Sequence, residues 1–406
     1  MSGNYPNRWL ILAGAVLINM CVGSSYAWSV YQKPLMAMFN WSTHEVSMAF
    51  TIFFALVPIA MITGGKIQDR HGPKKVILTG GVLFSSGMIG TGFTDSLNFL
   101  YLTYGVLGGL GQGTIVACTI ANTVKFFPDK RGFASGFVVS GFAFGAVVSA
   151  PVSSALIAAY GVLMTFKILG CVYLLIITTC ALFIQTAPSD YRPAGWVPAI
   201  STVKVVISPN KDWRELLTDP LFYVLWGMFH IGSISGLMVI GHASPIGQEV
   251  IKVDARTAAM AVSLMALGNA TGRIFWGGIS DKIGRNNAIL IIFSLIGIMM
   301  FTMTLVTKLM PFMIVLTMIG LCYGGMMGIF PSITADMFGP KNLGMNYGMI
   351  NTAFGAAAYI GPRLASYFKE VNQGDYTQAF LIATSLSIIG IMLTLIVRSK
   401  MKKMEA

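Results

Sequence analysis

The sequence predicts an all-α polytopic membrane protein, with twelve transmembrane helices arranged as two pseudo-symmetric six-helix bundles. Three observations carry this expectation: the composition, the recurrence of apolar stretches, and a motif that returns at a fixed offset. Of the 406 residues, 55% are hydrophobic and 10% charged, against about 25% charged in ordinary soluble domains. That balance excludes a soluble enzyme. The 45 glycines suit helices that approach closely within lipid. A span with its loop takes about 30–35 residues, so the length fits twelve spans and leaves no room for a large soluble domain.

The apolar windows place spans at Trp9–Tyr31, Val46–Gly65, Val76–Phe93, Phe99–Val124, Phe133–Tyr160 and Met164–Gln185, and a second set at Leu221–His242, Thr257–Ile279, Ala288–Val306, Pro311–Ala335, Leu343–Phe368 and Ala379–Val397. The first stretch is one apolar segment of many, so it is read as a span and not as a cleaved leader. Pro188, Pro193, Pro198 and Pro209 mark a polar linker. The expected organisation is therefore an N-terminal bundle over 1–186, a cytoplasmic linker over 187–218 and a C-terminal bundle over 219–406.

The net charge of +12 does not point to nucleic acid, because the basic residues fall in short clusters between spans. Arg8, Arg70, Lys74, Lys75, Lys125, Lys130, Arg131, Lys282, Arg285 and the tail from Arg398 to Lys403 gather on one side. The positive-inside pattern then places both termini in the cytoplasm of a plasma (inner) membrane protein. Cys21, Cys118, Cys171, Cys180 and Cys322 show no CxxC or Cys/His spacing, so neither a disulfide framework nor a metal site is expected. No cofactor is expected either. The lipid bilayer is an expected partner, with the chain acting as a monomer.

Two landmarks repeat. Gly65-Lys66-Ile67-Gln68-Asp69-Arg70-His71-Gly72-Pro73-Lys74 follows span 2, and Gly277-Gly278-Ile279-Ser280-Asp281-Lys282-Ile283-Gly284-Arg285 follows span 8, with the aspartates 212 positions apart. Phe127-Pro128-Asp129-Lys130-Arg131-Gly132 after span 4 and Phe338-Gly339-Pro340-Lys341-Asn342-Leu343-Gly344 after span 10 are offset by 211. One shared offset indicates two six-span halves. The turn after spans 2 and 8 resembles the signature of the major facilitator superfamily. Asp69, Arg70, Asp281 and Lys282 are its expected gating residues, the acid pairing with basic groups at neighbouring helix ends.

An ionisable residue deep in a span is by default functional. All 15 acidic residues fall in loops or near span ends. Arg273 lies eight residues before Asp281, about 12 Å inside a core about 30 Å thick. A permanent cation at that depth calls for an anionic substrate, whose carboxylate matches the guanidinium fork. The structural alternative is an arginine held by helix ends and water. Asn269, one turn earlier, shares its face and can orient it or donate to the substrate. Gln112, midway along span 4, is a further polar candidate. No span shows paired acids or a His/Glu cluster, which disfavours a membrane enzyme.

Tyr26-Ala27-Trp28, Phe127 to Gly136, Arg273-Ile274-Phe275-Trp276-Gly277 and Asn346-Tyr347-Gly348 resemble the oxalate:formate antiporter and monocarboxylate transporter group. The resemblance implies a midplane arginine at Arg273 and pocket positions at Tyr26, Val116, Phe142, Tyr323, Asn351 and Phe354. A second cation of the oxalate carrier falls on Phe354, and the acid one turn before the arginine in animal monocarboxylate carriers falls on Asn269. One cation instead of two favours monocarboxylates of lactate or pyruvate size. Proton coupling then falls to histidine. His242 matches a pocket-lining position and is the preferred substrate-facing and proton-coupling group; His230, deeper but about 120° around the helix, is the alternative. The expected function is proton-coupled symport of small monocarboxylates by alternating access. Exchange of one carboxylate for another is the competing expectation.

Overall fold

The computed structural model describes residues 7–188, 191–193 and 210–405. Most of the expected linker, at 189–190 and 194–209, lies outside the described residues. What is described is helical and contains no strand. Nine helices among the described residues are long and apolar enough to cross a membrane: Arg8–Phe39, His44–His71, Leu97–Phe126, Arg131–Tyr160, Val162–Phe183, Pro220–Glu249, Arg285–Met303, Leu309–Phe338 and Thr377–Lys400. Pro73–Thr91, Ala255–Ile283 and Leu343–Val371 complete the twelve spans, numbered here in chain order.

The helices overrun the apolar windows because hydrogen bonding continues after the hydrocarbon ends. A capping box starts span 2: the Glu45 amide donates to the Ser42 hydroxyl, and the Glu45 carboxylate accepts from the Ser42 amide. The motif read as a turn from Gly65 to Lys74 is helical as far as His71, and its counterpart as far as Ile283. Only Gly72 (φ 82°) and Gly284 (φ 89°) leave the helix, in a conformation that favours glycine. Pro73 and Arg285 then begin the next spans. Gly65 stays helical and instead admits another backbone, since a Cβ there would collide with Gly344 and Met345.

The chain divides into two compact units. The first comprises Met1–Pro128, Phe137–Ala194 and Phe338–Met349; the second comprises Asp129–Gly136, Gly195–Met337 and Ile350–Ala406. The start of span 5 thus groups with the second unit, and the start of span 11 with the first. Glycine contacts give the physical reason: Gly132 lies against Gly277 in the second unit, as Gly65 lies against Gly344 in the first. Within the first unit, span 4 packs on spans 1, 2 and 3, and span 6 packs on spans 1 and 3. Within the second unit, span 7 packs on spans 8 and 12, and span 9 packs on span 12.

Two segments of the first unit depart from α geometry. Ser24–Ala27 in span 1 is a 3₁₀ turn, and Tyr101–Gly108 in span 4 is π-helical. They meet where Tyr104 lies 4.2 Å from Trp28, centroid to centroid. Neither departure is visible in the apolar pattern.

Candidate functional site

In the second unit, Arg273 is 6% exposed, and its Nε donates to Asn269 Oδ1 at 3.1 Å. The i−4 spacing puts the two side chains on one face, so the amide fixes the fork's rotation. The backbone beneath them is equally confined. Gly136 of span 5 and Gly328 of span 10 lie directly on the Arg273 backbone, and Gly324 lies on that of Asn269. A Cβ at any of these would meet main-chain atoms that have no room to yield. The arginine therefore projects from a turn of helix held on both sides. For Asn269→Ala the expected result is about a tenfold rise in substrate KM at normal protein abundance, the equivalent of about 1.4 kcal/mol. Uptake kinetics in proteoliposomes check it, and an unchanged KM would separate the amide from the site.

Tyr323 is 4% exposed and packs on Gly236 of span 7. Asn351 is buried and Phe354 half-buried, both on span 11. His242 is enclosed by hydrogen bonds. Its Nδ1 donates to the Met238 carbonyl at 3.2 Å, and Nε2 pairs with Ser366 Oγ at 3.0 Å. Tyr376 meets the ring edge-on at 5.8 Å. His230 also reaches span 11, where Nδ1 donates to the Ala353 carbonyl at 3.0 Å. Although about 120° apart around span 7, both rings reach span 11, at different depths.

In the first unit, Tyr26 is exposed on the 3₁₀ turn. It lies 5.4 Å from Phe54 and, at right angles, 6.5 Å from Phe142. Gln112 is buried, and its Oε1 accepts from Ser25 Oγ at 2.8 Å, tying span 4 to that turn. Val116, one helical turn further along span 4, is buried. The structure thus brings Tyr26 and Phe142 together in one unit, and Arg273 and Asn269 together in the other.

At the motif ends, each signature aspartate takes donors from a neighbouring helix start. In the first unit, Asp69 accepts from Lys125 Nζ at 3.1 Å and from the Met345 amide at 3.1 Å. In the second unit, Asp281 accepts from the amides of Gly132 and Phe133 at 2.9 and 2.8 Å and pairs with Arg285 at 2.6 Å. Asp336 extends the chain of charges by pairing with Arg131 at 2.6 Å and Arg285 at 3.0 Å.

Arg70 and Lys282, the expected gating bases, lie apart from these bonds. Both are exposed, and among the described residues neither enters an ion pair. Adjacent helical residues diverge by about 100°, which turns each base away from its acid. Lys125 and Asp336 are 211 positions apart, and Pro73 and Arg285 are 212 apart, so matched positions carry different charges. Among the described residues no group of three or more His, Cys, Asp or Glu residues could hold a metal ion.

Comparison with known proteins matches the Major Facilitator Superfamily model over residues 11–362 and 231–405. The chain is 32% identical to the uncharacterized MFS-type transporter YhjX of Escherichia coli (strain K12), covering 87% of this chain and 86% of that one. It is 30% identical to the oxalate:formate antiporter of Oxalobacter formigenes over 98% and 94%, and 24% identical to monocarboxylate transporter 12 of Xenopus laevis over 92% and 85%. The solved proton:xylose symporter XylE superposes with a TM-score of 0.69 at 15% identity, covering 96% of this chain and 95% of that one. Twelve spans, two compact units, the repeated aspartate motif and the full-length matches converge: the chain is a multi-pass membrane protein belonging to the Major Facilitator Superfamily.

Proposed function

We propose that the chain is an alternating-access carrier of small monocarboxylates of lactate or pyruvate size. The observation that carries this reading is Arg273, a buried guanidinium oriented by Asn269 in a span whose acidic residues lie at its ends, Asp254 before its first turn and Asp281 in its last. A cation desolvated at that depth is stabilised by an anion that arrives with the substrate. The oxalate:formate antiporter and monocarboxylate transporter 12 are carboxylate carriers by name, and they support the same substrate class. With Phe354 at the position of the oxalate carrier's second cation, a dianion would leave one carboxylate desolvated without a partner. Lactate should therefore displace a radiolabelled monocarboxylate at concentrations at least about tenfold below those needed for oxalate; equal potency would refute the monoanion preference.

Coupling to a proton is the transport mode proposed, with both termini in the cytoplasm of the plasma (inner) membrane and a monomer as the working unit. The motif aspartates Asp69 and Asp281 would act as gating residues, their bonds to the starts of spans 11 and 5 forming and breaking within the transport cycle. Exchange without a proton is the second reading. It is favoured by one observation: both ring nitrogens of His242, the expected proton carrier, already have partners. Proteoliposomes decide between them. Under symport an acid exterior drives substrate accumulation with no internal anion; under exchange, uptake requires a preloaded carboxylate.

A further inference from the structure

His230 stands near the middle of span 7, ten residues after Pro220, which is about 15 Å along the helix axis and about half the hydrocarbon thickness. Its ring is fixed on two sides. The Trp226 indole stacks on it at 5.0 Å with an interplanar angle of 17°, and the indole is itself anchored by a 2.9 Å hydrogen bond from Nε1 to Thr352 Oγ1. The Ala353 carbonyl, which can only accept, engages Nδ1 at 3.0 Å and so requires the hydrogen to be on that nitrogen. In the neutral ring Nε2 is left as a lone-pair acceptor. Among the described residues Nε2 has no protein partner, and it is not sealed from solvent.

A bare acceptor at this depth is costly in hydrocarbon and is satisfied by water or by a ligand. The contrast with His242 is chemical. His242 holds its Nδ1 hydrogen on the Met238 carbonyl and receives the Ser366 hydroxyl at Nε2, so protonating it requires that hydroxyl to reverse. Protonating His230 disturbs no existing bond. The Nδ1 hydrogen stays on Ala353, Nε2 gains a hydrogen, and the new imidazolium gains cation–π attraction from the Trp226 face. Among the described residues no hydrogen bond, ion pair or ring contact joins the His230 ring to a charged or titratable group of the same unit, such as Arg273 of span 8, Tyr323 of span 10 or Arg363 of span 11.

We propose that His230, through Nε2, is the group that takes up and releases the transported proton. The proposal rests on the symport reading above. The proton comes from the aqueous phase on the entry side, is held on Nε2 while the carboxylate occupies the site, and returns to water on the exit side. Trp226 and the Ala353 carbonyl are positioning groups that keep one nitrogen open.

Purified carrier in liposomes tests this with radiolabelled lactate. The unaltered chain should concentrate lactate about tenfold per unit of imposed pH gradient, for one proton per anion. His230→Gln should exchange internal for external lactate yet fail to raise the internal concentration above the external one. Accumulation by His230→Gln equal to that of the unaltered chain overturns the assignment. Absence of accumulation by the unaltered chain itself would instead overturn the symport reading. Should His230→Gln lose exchange as well, Trp226→Phe decides: a weaker cation–π partner must move the midpoint of the pH–uptake profile to lower pH by a few tenths of a unit. An unmoved midpoint overturns the proposal.

Discussion

Arg273→Lys is expected to lower carboxylate uptake at least about 100-fold, close to the level of Arg273→Ala, although lysine keeps the charge and nearly the volume of arginine. The reason is geometric. The guanidinium is held by Asn269 at 3.1 Å on a turn of helix confined by Gly136 and Gly328, so its fork has one orientation to offer. A lysine has no Nε to donate to Asn269 Oδ1 and presents a point charge instead of a planar fork. It also loses charge readily when desolvated, whereas arginine does not. Loss of one charge-assisted bidentate pair in a buried site costs about 3–5 kcal/mol, or at least about two powers of ten in affinity. Binding of lactate to purified protein, measured calorimetrically beside a thermal-unfolding control, checks it. A Lys variant that binds normally would show that charge alone serves and that the fork is incidental.

How far the sequence was readable follows from which forces act locally. The apolar windows marked hydrocarbon thickness, and every expected window corresponds to a helix. The helix ends escaped notice because backbone hydrogen bonding and caps such as Ser42 with Glu45 are indifferent to hydropathy. Asn269 was readable from the i−4 rule as a neighbour of Arg273. The glycines that confine the arginine were not, because Gly136 is 137 residues away in sequence and reaches the Arg273 backbone only through the fold. The same holds for charge. Asp69 and Asp281 announce themselves by repetition, whereas which bases at neighbouring helix ends they take, Lys125 and Arg285, is decided by how the helices pack. His230 and His242 are equivalent in a composition census. They differ in which neighbour bonds the second nitrogen, and that is a property of spans 7 and 11 packed together.

The two motif aspartates should respond unequally to the same substitution. Asp281 satisfies two main-chain amides, those of Gly132 and Phe133, together with the Arg285 guanidinium, and Asp336 continues the network through Arg285 and Arg131. An amide in place of the carboxylate removes the negative charge from the start of span 5 and turns an NH₂ toward a donor. Charge-assisted bonds are worth about 1.5–3 kcal/mol each, and part is recovered because Arg285 keeps Asp336. The net cost for Asp281→Asn is about 3 kcal/mol, which corresponds to amide exchange about 100-fold faster over the first turn of span 5. Asp69 takes the amides of Met345 and Gly344 and the amine of Lys125; its basic partner is a single lysine, 19% exposed, and not a guanidinium shared with a second acid, so less charge-assisted bonding is lost. Asp69→Asn is expected to cost about 1.5 kcal/mol, or about tenfold faster exchange at the start of span 11. Hydrogen–deuterium exchange read on peptides covering the starts of spans 5 and 11 separates the two values. Equal acceleration would mean that the four-charge chain around Asp336 adds nothing to what a single pair provides, and a larger effect at Asp69 would reverse the assignment of the stronger clasp.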